Sequence, residues 1–283
     1  TKLLIVCLTV STLYAWDISG LGNVLDGVTS ALKVADAAVK AAEDITPEQE
    51  YYIGRAVSAT ILKKYKLYKN DSLNDYISKV GLLLSLNSKL PYTYGGYSFA
   101  VLDSDEINAF AAPSGMIFIT KGMLRICDSE DALAAVLAHE IAHVQNRHGI
   151  RSIEKGRITS FLTIAAGEGA KQFGGKDVAQ ITKIFEDSIN DIVNTMVTNG
   201  YSRAYEYEAD KDAIDILKKT GYENYKMLAM LENMKQGLAE HSGGFNDTHP
   251  APQDRIDELK LIVSDDEQNI PTVRTARFAE ATK

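Results

Sequence analysis

Histidine and glutamate form one closely spaced group in this chain, His139-Glu140-Ile141-Ala142-His143. In a helix, histidines four residues apart project from the same face, so both imidazoles can reach one tetrahedral zinc ion. Glu140 follows the first histidine and can take a proton from a water held by that metal as the water attacks a carbonyl. This HExxH pattern therefore predicts a catalytic site with one Zn²⁺ per chain and Glu140 as the general base.

The segment that carries HExxH has the pattern of a buried helix. Ser129 is a good N-cap, and Glu130 and Asp131 follow it in the first turn, where the helix dipole favours acidic side chains. Apolar residues recur along the rest of the segment at Leu133, Val136, Leu137, Ile141 and Val144. Because such a helix is buried, its histidines and glutamate are not expected at the surface. Burying these side chains without partners would cost free energy of folding, so the pattern favours a metal site.

A third metal ligand has to come from elsewhere in the chain, because a catalytic zinc usually has three protein ligands. His148 lies shortly after the motif but should point to a different side of the helix, and we interpret it as structural. Glu206 and Asp210 lie four residues apart on a predicted helix. One can bind the metal while the other orients a ligand histidine through its free N–H. Glu208 and Asp212 are expected on a solvated acidic face.

The composition excludes several classes of protein. Of the 283 residues, 45% are hydrophobic and 24% are charged, which is ordinary globular usage and excludes a collagen, a disordered tail or a multi-span membrane protein. The net charge is −8 and no basic run occurs, so we expect no nucleic-acid partner. The apolar runs are shorter than the roughly 20 residues that a membrane-spanning helix needs, so we expect no transmembrane helix. The two cysteines, Cys7 and Cys127, cannot build a zinc ribbon, which leaves histidine and carboxylate as metal ligands.

The first residues resemble a secretory signal peptide. Lys2 precedes an apolar run over residues 3–14 that is too short to span a bilayer and ends near Ala15. We therefore expect residues 1–15 to be a signal-peptide remnant and the protein to be periplasmic or otherwise exported to the cell envelope. Lipoprotein attachment at Cys7 is not expected, because Val6 is not the small residue that such a site requires.

Helical and strand patterns alternate along the remaining chain. Helical spacing predicts an amphipathic N-terminal helix within residues 16–45, and further helices at about 47–68 and 75–86. Short β-rich runs occupy residues 97–102, 108–111 and 116–120. Residues after 129 are predominantly helical, and residues 264–283 are polar without periodicity, which predicts a C-terminal surface arm.

Four separated motifs resemble a known family. They are residues 107–111 (INAFA), residues 115–124 (GMIFITKGML), the HExxH helix through His148, and residues 202–210 (SRAYEYEAD). In this order they resemble the zinc metallopeptidases typified by HtpX and the CAAX prenyl endoprotease, above all their soluble, exported bacterial relatives. The resemblance implies a metallopeptidase domain over residues 46–263. The implied fold is α+β and zincin-like, mainly helical with a small sheet beside the HExxH helix.

The resemblance also implies roles for individual residues. His139, His143 and Glu206 would be the zinc ligands, Glu140 the general base, and Asp210 the acid that orients a ligand histidine.

Further residues would contact the substrate. The strand at residues 108–111 would lie by the cleft, where a peptide can add as a β-strand, which makes Asn108 and Ala109 candidate substrate-binding residues together with Arg255. His249, in a His-Pro element, would be catalytic at the oxyanion or would occupy the water position as an off-switch. A capped turn before the next helix is the structural alternative for His249.

These observations predict a zinc metalloendopeptidase. Its polypeptide substrates would be unfolded or misassembled envelope proteins, and outer-membrane assembly components would be its partners. Two other hypotheses stay open: an envelope assembly factor or holdase with gated or secondary protease activity, and a non-catalytic metal-binding module.

Overall fold

The computed structural model describes residues 45–153, 178–240, 252–263 and 271–283. The predictions for the signal peptide, for nearly all of the N-terminal amphipathic helix and for His249 lie outside these residues. No helix in the described part of the chain is both long and apolar enough to cross a membrane.

Helices make up most of the described chain. They are α1 (Pro47–Lys64), α2 (Asp71–Leu86), α3 (Lys121–Ile126), α4 (Glu130–Gln145), α5 (His148–Arg151), α6 (Val178–Asn194), α7 (Arg203–Thr220), α8 (Lys226–Glu240), α9 (Pro252–Leu259) and α10 (Thr272–Ala281). The strands are β1 (Ser98–Leu102), β2 (Ala109–Ala112) and β3 (Met116–Thr120).

The strands form one small mixed sheet in the order β1-β3-β2. β1 runs parallel to β3, whereas β2 and β3 form an antiparallel pair in which Phe110 faces Phe118. A short turn joins the pair, and Ser114 and Gly115 adopt positive φ angles of 63° and 93° there. The β-rich runs at residues 97–102 and 116–120 therefore do form strands, as predicted.

Helix α4 lies at the centre of the described helices and strands. It packs against β2 on one side and against α2, α7 and α8 on others. Every residue from Glu130 to Val144 is buried, because apolar residues and alanines surround the whole circumference of the helix. The predicted fold, mainly helical with a small sheet beside the HExxH helix, is confirmed.

Two helix boundaries differ from the sequence pattern because the chain finds other hydrogen bonds. α1 ends at Lys64, since Leu67 forms a bridge with Leu102 and the Tyr68 N–H donates to the Val101 carbonyl. α2 begins earlier than predicted, because the Asn70 side chain accepts a hydrogen bond from the third residue of the helix and caps it.

The C-terminal arm was expected to lack periodic structure, but α10 forms within it. Phe278 of α10 is buried in the core. Arg274 lies 2.9 Å from the Asp131 carboxylate, and Arg277 pairs with Glu130. Apolar periodicity does not predict this helix, because its contacts with the core are made by one buried phenylalanine and two arginines. These arginines compensate the buried acids at the start of α4.

We expect the Arg277→Ala substitution to destabilise the fold by about 2 kcal/mol, because among the described residues it leaves the buried Glu130 carboxylate with only the Tyr76 and Tyr222 hydroxyls as donors. Burial raises the pKa of Glu130, but Arg277 and the tyrosine hydroxyls together lower it below its ordinary value. The stabilisation is therefore present above about pH 4.3 and is lost as the pH falls further. Urea unfolding at pH 7 and at acidic pH measures both effects.

The matched control is Arg125→Ala, which removes an exposed pair with Asp105 and should leave the free energy of unfolding nearly unchanged. Equal losses for the two variants would contradict the importance of the pair that Arg277 forms with the buried Glu130.

Candidate metal centre

Two central helices bring three potential metal ligands together. His139 and His143 lie on α4 and Glu206 lies on α7, and all three are buried. The two Nε2 atoms are 3.0 Å apart, and the Glu206 carboxylate oxygens lie 3.5 Å from the Nε2 of His139 and 3.4 Å from that of His143.

These distances fit a tetrahedral metal ion. Ligand atoms at 2.0–2.1 Å from a tetrahedral zinc are about 3.3 Å from one another, close to the three separations observed. Two imidazoles and one carboxylate are a ligand set found in catalytic rather than structural zinc sites. Three protein ligands leave the fourth coordination position open for substrate or water. The residues present therefore fit the metal that their pattern implies.

Local sequence explains why each helix holds its ligand firmly. The Ser129 hydroxyl accepts from the Ala132 N–H and caps α4, and the Ser202 hydroxyl accepts from the Tyr205 N–H and caps α7. α7 ends at Gly221, whose φ of 73° suits a left-handed C-terminal residue. The paired helices thus fix the backbone positions on both sides of the candidate site.

Asp210 lies directly behind His139. Its Oδ1 is 2.8 Å from the His139 Nδ1, which is the position from which a carboxylate orients a ligand histidine. Arg255 donates from its Nε and from a terminal nitrogen to the two Asp210 oxygens, at 2.8 and 2.5 Å. The same guanidinium lies 3.5 Å from Glu206. Arg255 is 1% exposed. Its ion pair with Asp210 could not be recognised from the sequence around it.

The cluster combines three buried carboxyl groups with one buried guanidinium group. Burial raises the pKa of Glu140 to about 7 and also raises that of Glu206. Burial likewise opposes ionisation of Asp210, but Arg255 and His139 lower its pKa below the ordinary range. One Glu140 oxygen, Oε1, is buried without a hydrogen-bond partner among the described residues. Three buried carboxylates beside one guanidinium favour a divalent cation.

His148 contacts the other ligand histidine, contrary to the expectation that it points to a different side. Helix α4 ends at Gln145, and Arg147 adopts a left-handed conformation with φ 55° and ψ 34°. The chain therefore turns back, and the His148 Nδ1 lies 2.8 Å from the His143 Nδ1. Sequence spacing assumed a continuous helix, and an arginine at positive φ gives no warning of the turn.

The expectation of a solvated acidic face on α7 is wrong for Asp212. This carboxylate is buried and accepts from Lys89, Gln145 and Asn146 at 2.5, 2.5 and 2.9 Å. It therefore ties the C-terminal end of α4 to α7. Glu208, by contrast, is exposed.

Tyr201 forms a wall of the site. Its ring stacks on His143 with centroids 4.4 Å apart, and its hydroxyl has no hydrogen-bond partner in the described part of the chain. Burial raises the pKa of this hydroxyl well above its ordinary value. Sequence reasoning did not single out this tyrosine.

The two candidate substrate residues on the sheet are both buried. Asn108 donates its backbone N–H to the Thr120 hydroxyl, and its side-chain oxygen accepts from the Ala109 N–H. Ala109 opens β2, which pairs only with β3 within the described sheet and packs on α4. The structure thus places this strand next to the helix that carries His139 and His143.

A narrow, mainly apolar cavity opens beside Glu140. Its other lining residues come from α4, α8 and α9 and are Val136, His139, Met227, Met230, Leu231, Met234 and Arg255. At about 10 Å³ the cavity has room for no more than a single water molecule.

The match to a known protein family covers most of the described fold. A family model, Peptidase family M48, matches residues 71–263. The chain belongs to this family. The match includes α4, α7 and α9, so every residue of the cluster described above lies within the family region.

Several curated relatives match the chain over long stretches. The chain is 31% identical to a putative beta-barrel assembly-enhancing protease of Vibrio cholerae, over 81% of this chain and 47% of the relative. It is 26% identical to the beta-barrel assembly-enhancing protease of Escherichia coli K12, over 82% of this chain and 47% of the relative. A protease HtpX homolog of Salinibacter ruber is 27% identical, over 56% and 66% respectively. The chain thus spans about half the length of the first two relatives.

Proposed function

We propose that this chain is a zinc-dependent metalloendopeptidase with one Zn²⁺ held by His139, His143 and Glu206. The observation that carries the proposal is the convergence of these three buried ligand atoms within 4.8 Å of one another, in a chain of Peptidase family M48. A bound zinc ion would act as a Lewis acid that polarises a scissile carbonyl and acidifies water.

The chain's own residues supply the proton transfers and the positioning. Glu140 takes the proton of the attacking water and delivers it to the leaving amine, a role for which a pKa near 7 is well suited. Asp210 orients His139, and Arg255 holds Asp210 in place. Strand β2, beginning at Ala109, offers the edge along which an extended substrate adds, with Asn108 at its start. His249 keeps its predicted role at the oxyanion or as an off-switch.

The proposed substrates are unfolded or misassembled proteins of the cell envelope. Support comes from the relatives of Vibrio cholerae and Escherichia coli, whose names describe assembly-enhancing proteases for beta-barrels. Outer-membrane assembly components are accordingly the proposed partners, and the periplasm is the proposed location.

Metal analysis and chelation test the proposal directly. We expect purified protein to contain one zinc per chain and to digest casein, an unfolded substrate. A chelator should abolish the digestion, and stoichiometric Zn²⁺ should restore it. Elemental analysis and the release of labelled peptides are the measurements. Digestion that persists after the metal has been removed would contradict the proposal.

A further inference from the structure

His143 is bonded on both ring nitrogens, and the partner on its outer side is itself a histidine. Its Nε2 faces His139 and Glu206, while its Nδ1 lies 2.8 Å from the Nδ1 of His148. The His148 ring is fully buried, and its Nε2 lies 3.0 Å from the Glu208 carboxylate. The described contacts thus form a line from the candidate metal site through two imidazoles to an acid.

The donor and acceptor of each hydrogen bond can be assigned in order, starting at Glu208 and continuing through His148 to His143. Arg151 binds the same Glu208 oxygen at 3.0 Å and favours the ionised carboxylate, which can only accept. The His148 Nε2 therefore carries a hydrogen. A neutral imidazole, favoured by complete burial, then has a lone pair on Nδ1 that accepts from the His143 Nδ1–H. This leaves the His143 Nε2 lone pair facing His139 and Glu206.

We propose that His148 and Glu208 are positioning residues that fix the tautomer of His143, so that its Nε2 lone pair is presented to the metal before the metal binds. The inference rests on the proposed function to the extent that His143 is a metal ligand. Within the described cluster, the arrangement parallels the direct contact of Asp210 with His139. Each ligand histidine is oriented by a carboxylate that an arginine holds, once directly and once through a second histidine.

A purely structural role for His148 makes a different prediction. The Tyr205 ring stacks on His148 with centroids 4.5 Å apart and planes only 3° from parallel, and Arg151 lies over Tyr205 at 4.3 Å. If this stacking were the only contribution of His148, a phenylalanine at position 148 would replace it adequately. The hydrogen-bond acceptor at Nδ1 is therefore the property to test.

The first experiment measures zinc affinity of the full chain by competition with a chromogenic chelator. We expect His148→Phe, which keeps the aromatic ring but removes the acceptor, to weaken zinc binding by about 10–100-fold. His148→Asn places an amide oxygen near the former Nδ1 and should recover most of the affinity. Asp105→Asn, which removes a carboxylate from an exposed pair with Arg125, is the matched control and should bind zinc normally.

The second experiment reads the tautomer without metal. In ¹⁵N-histidine-labelled, metal-free wild-type protein, two-bond ¹H–¹⁵N spectra should show the His143 proton on Nδ1 and an unprotonated Nε2. The same spectra should show the His148 proton on Nε2. This measurement needs no substitution, so it decides the inference even if His148→Phe fails to fold.

The results separate this inference from the proposed function. A His143 proton on Nε2, or wild-type zinc affinity in a folded His148→Phe variant, would overturn the positioning role. Wild-type protein that binds no zinc would overturn the proposed function, whereas the proton on the His143 Nδ1 would still support the preset tautomer.

Discussion

Replacement of Glu140 by glutamine should lower kcat for peptide hydrolysis by about 10²–10⁴-fold while zinc stays bound. The reason is that an amide of the same shape cannot take a proton from water or return one to the leaving amine. Stability should not fall, because Glu140 is buried and burial disfavours its charged form, which raises its pKa to about 7. Casein digestion, zinc content and thermal unfolding of the purified variant measure the three quantities.

The matched control for this variant is Glu48→Gln, an exposed glutamate in the first turn of α1. It should keep wild-type activity. A Glu140→Gln variant that digests casein at the parental rate would exclude Glu140 as the general base. If the same inactive variant restored growth to a strain lacking the protein, the result would favour the assembly-factor hypothesis over the protease hypothesis.

Replacement of Arg255 by methionine should destabilise the metal-free protein by about 3–5 kcal/mol. The guanidinium is 1% exposed and donates two hydrogen bonds to Asp210, so its removal leaves a buried carboxylate without its compensating charge. Saturating zinc should recover part of this loss, because the ion restores positive charge to the same cluster and binds only the folded state. Urea unfolding with and without zinc measures both changes.

Arg203→Met provides a close comparison, since Arg203 also links α7 to α9 through an ion pair with Asp254 at 3.0 Å. That pair is exposed, and its loss should cost under about 1 kcal/mol. A metal-free Arg255→Met protein as stable as wild type would refute the compensating role. In the double variant with Asp210→Asn, much of the lost stability should return, because the unpaired charge is then absent.

The sequence allowed the centre of the fold to be predicted better than its edges. Residues 130–145 combine a cap, acidic residues in the first turn and apolar periodicity, and these local preferences agree with the burial that the structure shows. Long-range contacts decide the other boundaries. α1 stops early because Leu67 pairs with β1, and α10 forms because Arg277 meets a buried acid 147 residues away in sequence. Neither partner can be recognised from local periodicity.

In the candidate site, too, local sequence patterns predict some residues, whereas others depend on contacts between distant parts of the chain. Regular helical spacing is enough to place His139 beside His143, and Glu206 on one stripe with Asp210. Arg255 could not be predicted in its buried position, because a single arginine in a polar helix gives no pattern of its own. His148 required knowledge of a left-handed residue at position 147, where most side chains avoid that conformation.

Helix α7 carries the acidic residues at positions 206, 208 and 210, which contact His139, His143 and His148 between them. All three lie within the first eight residues of that helix, whose start is capped by Ser202. Fraying of those two turns would therefore disconnect a ligand and both supporting carboxylates together, so the centre should assemble and come apart as one cooperative unit. The Ser202 hydroxyl, which takes no part in the chemistry, is thereby thermodynamically linked to metal affinity.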